Sequence, residues 1–126
     1  MVQVEISQLS AECTSWREQL RNLKEEFTQD EQKLRQVAGQ PLTKEQLQDV
    51  EHLHNQFHIQ LINIHDLKQA IKGHDRKMSF EREAFNGLVN EDSLATHETL
   101  QGEYHSLEET LSGLREEFNN FLTSLR

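Results

Sequence analysis

Apolar residues recur at alternating three- and four-residue intervals in three separate stretches of this chain. That pattern restricts the fold more than any other feature. The first stretch carries Val2, Ile6, Leu9, Cys13, Trp16, Leu20, Leu23, Phe27, Leu34 and Val37, with only Asp30 intruding. The last carries Leu100, Tyr104, Leu107, Leu111, Leu114, Phe118, Phe121 and Leu125. Between them run Leu47, Val50, Phe57, Leu61, Ile64, Ile71 and Met78. Such spacing lines one face of a helix with apolar side chains, and that face needs partner helices. Three stripes in 126 residues predict one all-α domain over 1–126, an elongated antiparallel three-helix bundle. One Pro and five Gly leave too few turn residues for a sheet architecture.

Helix boundaries follow from capping chemistry. Helix A is expected over about 2–38, with Gly39 taking a left-handed cap and Pro41 unable to continue the helix. Thr43 then opens helix B, and Gln46 three residues on completes a capping-box pattern. A connection this short forces antiparallel neighbours. Helix B spans about 43–89, either as one helix or with a break near Gly73, where periodicity fades. Its apolar side is broad: Leu53 and Leu67 flank the stripe, with Ile59 and Ile62 further round. His54, Lys68 and Asp75 occupy stripe positions. Asn86-Gly87 and Asn90 are stop signals, and helix C follows over about 92–126 with cap candidates from Asn90 to Ser93. The short A–B turn and the broad face of helix B argue against an extended coiled-coil dimer. The isolated domain is expected to be monomeric.

Charge and composition exclude several functions. The net charge of −9 is concentrated late: residues 90–126 hold eight acidic and two basic side chains, while the rest is nearly balanced. No basic footprint for nucleic acid exists. An acidic docking face for a basic protein partner would comprise Glu108, Glu109, Glu116 and Glu117, although a solvated helix surface normally carries such pairs. No apolar run approaches the roughly 18 residues of a membrane span, so no direct membrane insertion is expected. No signal-peptide pattern or Asn-x-Ser/Thr acceptor is visible, and Cys13 is the only cysteine. A cytoplasmic setting is therefore expected.

Catalytic and cofactor motifs are lacking: there is no glycine-rich phosphate loop and no nucleophile elbow, and Cys13 has no nearby histidine in the sequence. Seven histidines are many for this length. His54 and His58 share a helix face beside His52, yet zinc wants further ligands and the sequence supplies no set for them. No metal site is expected. His54, on the stripe near the core edge, is the candidate for protonation that loosens the bundle. Lys68, Lys72, Arg76, Lys77 and Arg82 form a loose basic stretch diluted by Asp75, Glu81 and Glu83. Trp16 and Tyr104, on their stripes, are expected in the core.

These features resemble a spectrin repeat, the three-helix unit of spectrin, dystrophin, nesprins and plakins. The family has a Trp midway along helix A, matched by Ser15-Trp16-Arg17, and a second aromatic in helix C, matched by Tyr104 between Leu100 and Leu107. Tyr in place of Trp departs from the commonest form. His54 and Phe57 match the His or Phe found amid Leu in helix B. The resemblance implies a non-enzymatic spacer and docking module in a cytoskeletal or membrane-skeleton scaffold. A rival from another class is a regulatory or autoinhibitory bundle like the N-terminal domain of syntaxins.

Overall fold

The computed structural model describes residues 4–125. Three helices follow one another: α1 (Ile6–Ala38), α2 (Lys44–Ala84) and α3 (Glu91–Ser124). The expected starts and ends at Val2 and Arg126 lie outside the described residues. α2 packs against both neighbours. Cys13 of α1 meets His97 of α3 near one pole, and Glu26 and Asp30 meet Arg115 nearer the other, so α1 and α3 run parallel. Phe57 meets Phe27 and Phe118, while His74, later in α2, meets the earlier Cys13 and His97, so α2 runs antiparallel to both.

Local chemistry sets each boundary. α1 ends without a left-handed glycine: Gly39 has φ −81°, and the amides of Gly39 and Gln40 bond back to the carbonyls of Gln36 and Val37. These tightened three-residue turns satisfy the last carbonyls, so the expected left-handed cap is not needed. The Thr43 capping box forms fully. The Gln46 amide donates to Thr43 Oγ1 at 3.1 Å, and the Thr43 amide donates to Gln46 Oε1 at 2.9 Å. α2 runs unbroken through Gly73. It stops at Ala84 rather than near Val89, because Asn86 (φ 53°) and Gly87 (φ 83°) turn the chain left-handed. Val89 is then fully buried as a plug at this pole. The Ile6 amide donates to Gly87 O at 2.8 Å, and the Val89 amide donates to Val4 O at 3.0 Å, so this loop fixes the start of α1. Asn90 caps α3 by accepting from the Ser93 amide at 2.8 Å.

The core is continuous and runs the length of the bundle. Phe27, Phe57 and Phe118, one from each helix, meet edge to face in its lower half. In α2 the buried line passes through Leu53, Phe57, Ile64, Leu67, Ile71 and Met78. Leu53 and Leu67, expected on the flank, are therefore core. Leu47 is exposed, and Val50 and Leu61 are half-buried. The reason is rotational: the broad apolar side of α2 must serve two neighbours, which centres the buried line between the two candidate stripes. Asp30, the intruder in the first stripe, is buried. Arg115 Nε donates to its Oδ2 at 3.0 Å while Nη1 reaches Glu26 Oε2 at 2.9 Å.

Candidate functional site

Near the pole where α1 begins, the core turns polar. His97 continues the α3 stripe three residues before Leu100, and His74 lies between Ile71 and Met78 on α2. Both are buried, as is Cys13 opposite them on α1. His97 Nδ1 lies 3.1 Å from His74 Nε2 and 3.9 Å from Cys13 Sγ. One ligand atom from each of the three residues lies within 4.8 Å of the other two, and among the described residues no other set of metal-ligating side chains converges this way. On its outer edge His97 Nε2 faces Glu12 Oε2 at 3.4 Å. Trp16 covers the cluster, its ring 4.8 Å from that of His97 and 5.8 Å from that of Tyr104.

The electrostatics of this pocket favour neutral side chains. Burial pushes the Cys13 thiol up to about 12, helped by the negative charges of Asp75 and Glu12. Burial, with the neighbouring His97, pushes His74 below the usual histidine range. His74 Nδ1, Asp75 Oδ1 and Glu81 Oε2 are buried without a hydrogen-bond partner among the described residues. The other oxygen of Glu81 accepts from Ser93 Oγ at 2.6 Å. Three orphan polar atoms within eight residues of one helix are unusual, because a buried group without a partner costs about 1–3 kcal/mol.

The residues singled out from the sequence are placed as follows. Trp16 and Tyr104 are buried, and Tyr104 donates its hydroxyl to Glu108 Oε2 at 3.1 Å. The four glutamates do not form one free surface. Glu108 is half-buried and occupied by Tyr104 and His105, and Glu117 faces His52 of α2 at 2.9 Å. Glu109 and Glu116 are exposed. His54 is exposed rather than at the core edge, since the buried line passes through Leu53 and Phe57 instead. The core-edge position that made it the candidate for a protonation-sensitive residue is therefore not the one it occupies. Of the basic stretch, Lys68 is set apart: it is half-buried beside Arg17 and Arg21 of α1, and burial plus Lys24, Arg21 and Arg17 lowers its pKa.

A second feature is a groove of about 910 Å³ between α2 and α3. Small residues, among them Ala70, Thr99, Gly102 and Ser106, form much of its floor and walls, with the half-buried Leu107 exposing apolar surface beside the buried Leu67 and with Asp66 and Glu103 supplying charge. Ile59 and Ile62 are about half exposed on the same stretch of α2.

No family model, curated protein or solved structure matches this chain. Its site must be judged on its own geometry. Nothing near Cys13 in the sequence marks His74 or His97; the pairing with His97 spans 84 residues. The available signal was positional: both histidines sit at three- or four-residue steps along apolar stripes. Among the described residues no helix is long and apolar enough to cross a membrane.

Proposed function

We propose that this chain is a non-enzymatic spacer and docking module of the spectrin-repeat type, working in a larger cytoplasmic scaffold. The observation that carries the reading is the parallel course of α1 and α3. With three antiparallel passes, the first and last helices leave from opposite poles. The 33 residues of α1 alone span about 50 Å at the helical rise. Such a unit holds whatever joins its two ends one rod-length apart. The α2–α3 groove supports the docking half of the reading. Its small residues let a partner backbone approach closely, and Ile59 and Ile62 offer apolar contact beside it. Asp66 and Glu103 select an occupant with basic flanks. The occupant is an amphipathic helix of a protein partner, bound in the helix-in-groove mode.

The test is a displayed library of helical peptides panned against the folded protein. Amphipathic peptides with basic flanks should be enriched. Their binding should be lost in Ser106→Arg, which fills the groove from an exposed position, and kept in a double reversal of Glu109 and Glu116. Binders indifferent to Ser106→Arg, or no enrichment at all, would remove the groove from the reading.

A further inference from the structure

We propose that Cys13, His74 and His97 form a zinc(II) site that ties the three helices together near the pole where α1 begins. Each helix contributes one ligand. Zinc–sulfur bonds of about 2.3 Å and zinc–nitrogen bonds of about 2.0–2.1 Å, set at tetrahedral angles, place two nitrogens roughly 3.3 Å apart and a nitrogen and sulfur roughly 3.6 Å apart. The observed separations are 3.1 Å for His74 Nε2 to His97 Nδ1 and 3.9 Å for Cys13 Sγ to His97 Nδ1. Both lie close to these values, and the third separation, Cys13 to His74, is within 4.8 Å, so Cys13 and His74 must draw together by about 1 Å through side-chain rotation to close the tetrahedron. Mixed thiolate and imidazole ligands suit zinc rather than magnesium or calcium, which want oxygen.

The surroundings fit a cation in three further ways. Glu12 faces the far nitrogen of His97. By accepting a hydrogen bond from the Nε2–H it leaves the Nδ1 lone pair facing inward, the carboxylate–histidine arrangement found behind metal ligands. Asp75 and Glu81 each leave a buried carboxylate oxygen without a partner nearby on α2. The charges of Asp75 and Glu12 that oppose a bare Cys13 thiolate favour a dication beside it. The ion's own charge then reverses the local preference for a protonated thiol. Binding forms one zinc–sulfur bond and sends one thiol proton to solvent. His74 moves its remaining proton to Nδ1 and stays neutral. Three protein ligands leave the fourth position to water. This site is independent of the docking groove, which lies further along α2 and α3.

Cobalt(II) is the probe. Chelator-treated wild-type protein titrated with cobalt should develop a thiolate-to-metal charge-transfer band and intense visible bands of four-coordinate cobalt, saturating at one equivalent. Cobalt binding should release one proton, and zinc should bleach both bands at one equivalent without releasing another. Glu12→Gln should weaken zinc binding about 10–100-fold through the second shell. Cys13→Ser should abolish the charge-transfer band and weaken zinc binding by more than that. Replacing the exposed His52 and His58 with Ala should change nothing. The wild-type spectrum needs no variant, so a failure of Cys13→Ser to fold leaves the test intact. Absence of the charge-transfer band at one equivalent, or zinc affinity unchanged in folded Cys13→Ser, would overturn the site.

Discussion

Removing Arg115 should damage the fold far more than removing Asp30, although the two share one ion pair. The asymmetry follows from burial: the Asp30 side chain is 6% exposed and that of Arg115 39%. Arg115→Met keeps the aliphatic stem but leaves the Asp30 carboxylate in the core without the Nε donor at 3.0 Å. Losing one partner of a buried pair costs about 3–5 kcal/mol, and the solvated side of this pair argues for about 3. It also removes the guanidinium lying 5.8 Å above the Phe27 ring. Asp30→Leu removes the buried charge instead, and Arg115 keeps Glu26 at 2.9 Å and water. Replacing a buried ion by an apolar side chain is often neutral or stabilising, so a change within about 1 kcal/mol is expected. The double variant should resemble Asp30→Leu alone, because no buried carboxylate remains to be orphaned. For 126 residues at about 2.1 cal/mol/K each, the unfolding entropy is about 0.26 kcal/mol/K, so a 3 kcal/mol loss lowers Tm by about 11 °C. Urea unfolding followed by circular dichroism measures all four proteins at a common slope. Equal losses in the two single variants, or an additive double variant, would refute the reasoning from burial.

Three other predictions rest on single residues. Trp16→Ala should cost about 3–5 kcal/mol in the same urea assay, and native Trp16 should emit at the short wavelengths of a buried indole; emission typical of indole in water would place it outside the core. In chelator-treated protein Cys13 should resist alkylation at pH 8 and react only as urea opens the fold, because its thiol pKa is pushed up to about 12; rapid labelling of the folded form would contradict this. Tyr104, the only tyrosine, should ionise near 12 instead of 10.0 when followed by absorbance. Its folded pKa is the higher one, so its contribution to stability should be complete below pH 10 and fall away as pH rises towards 12.

The helices were legible because their spacing is a local property. Trp16 and the Thr43 capping box could be placed without any structure. What escaped was the meaning of polar residues that keep the apolar beat. Asp30 lies between Phe27 and Leu34, Gln60 between Phe57 and Ile64, and His74 between Ile71 and Met78, and all three are buried. Glu81, Ser93 and His97 extend the beat towards the pole and are also buried. A helix keeps turning through a polar side chain, so position decides burial before chemistry does. Which partner satisfies each one is set across the bundle: Arg115 for Asp30, Ser93 for Glu81. Those pairings depend on relative helix register, which no single stripe encodes. The same cause misplaced His54. Its rotation around α2 was decided by where two neighbours sit, and Leu53 took the buried position instead.

The parallel course of α1 and α3 has a mechanical consequence. A pull applied through the two ends loads α1 and α3 in shear along the rod axis. The core contacts of both with α2 must then slip together, whereas a pull at one pole would peel one helix away turn by turn. Once they slip, the end-to-end distance grows abruptly. A rod set by helices of 33 to 41 residues is about 50–60 Å long, while 126 residues drawn out at about 3.5 Å each reach about 440 Å. One rupture therefore lengthens the span between the two ends roughly sevenfold to ninefold.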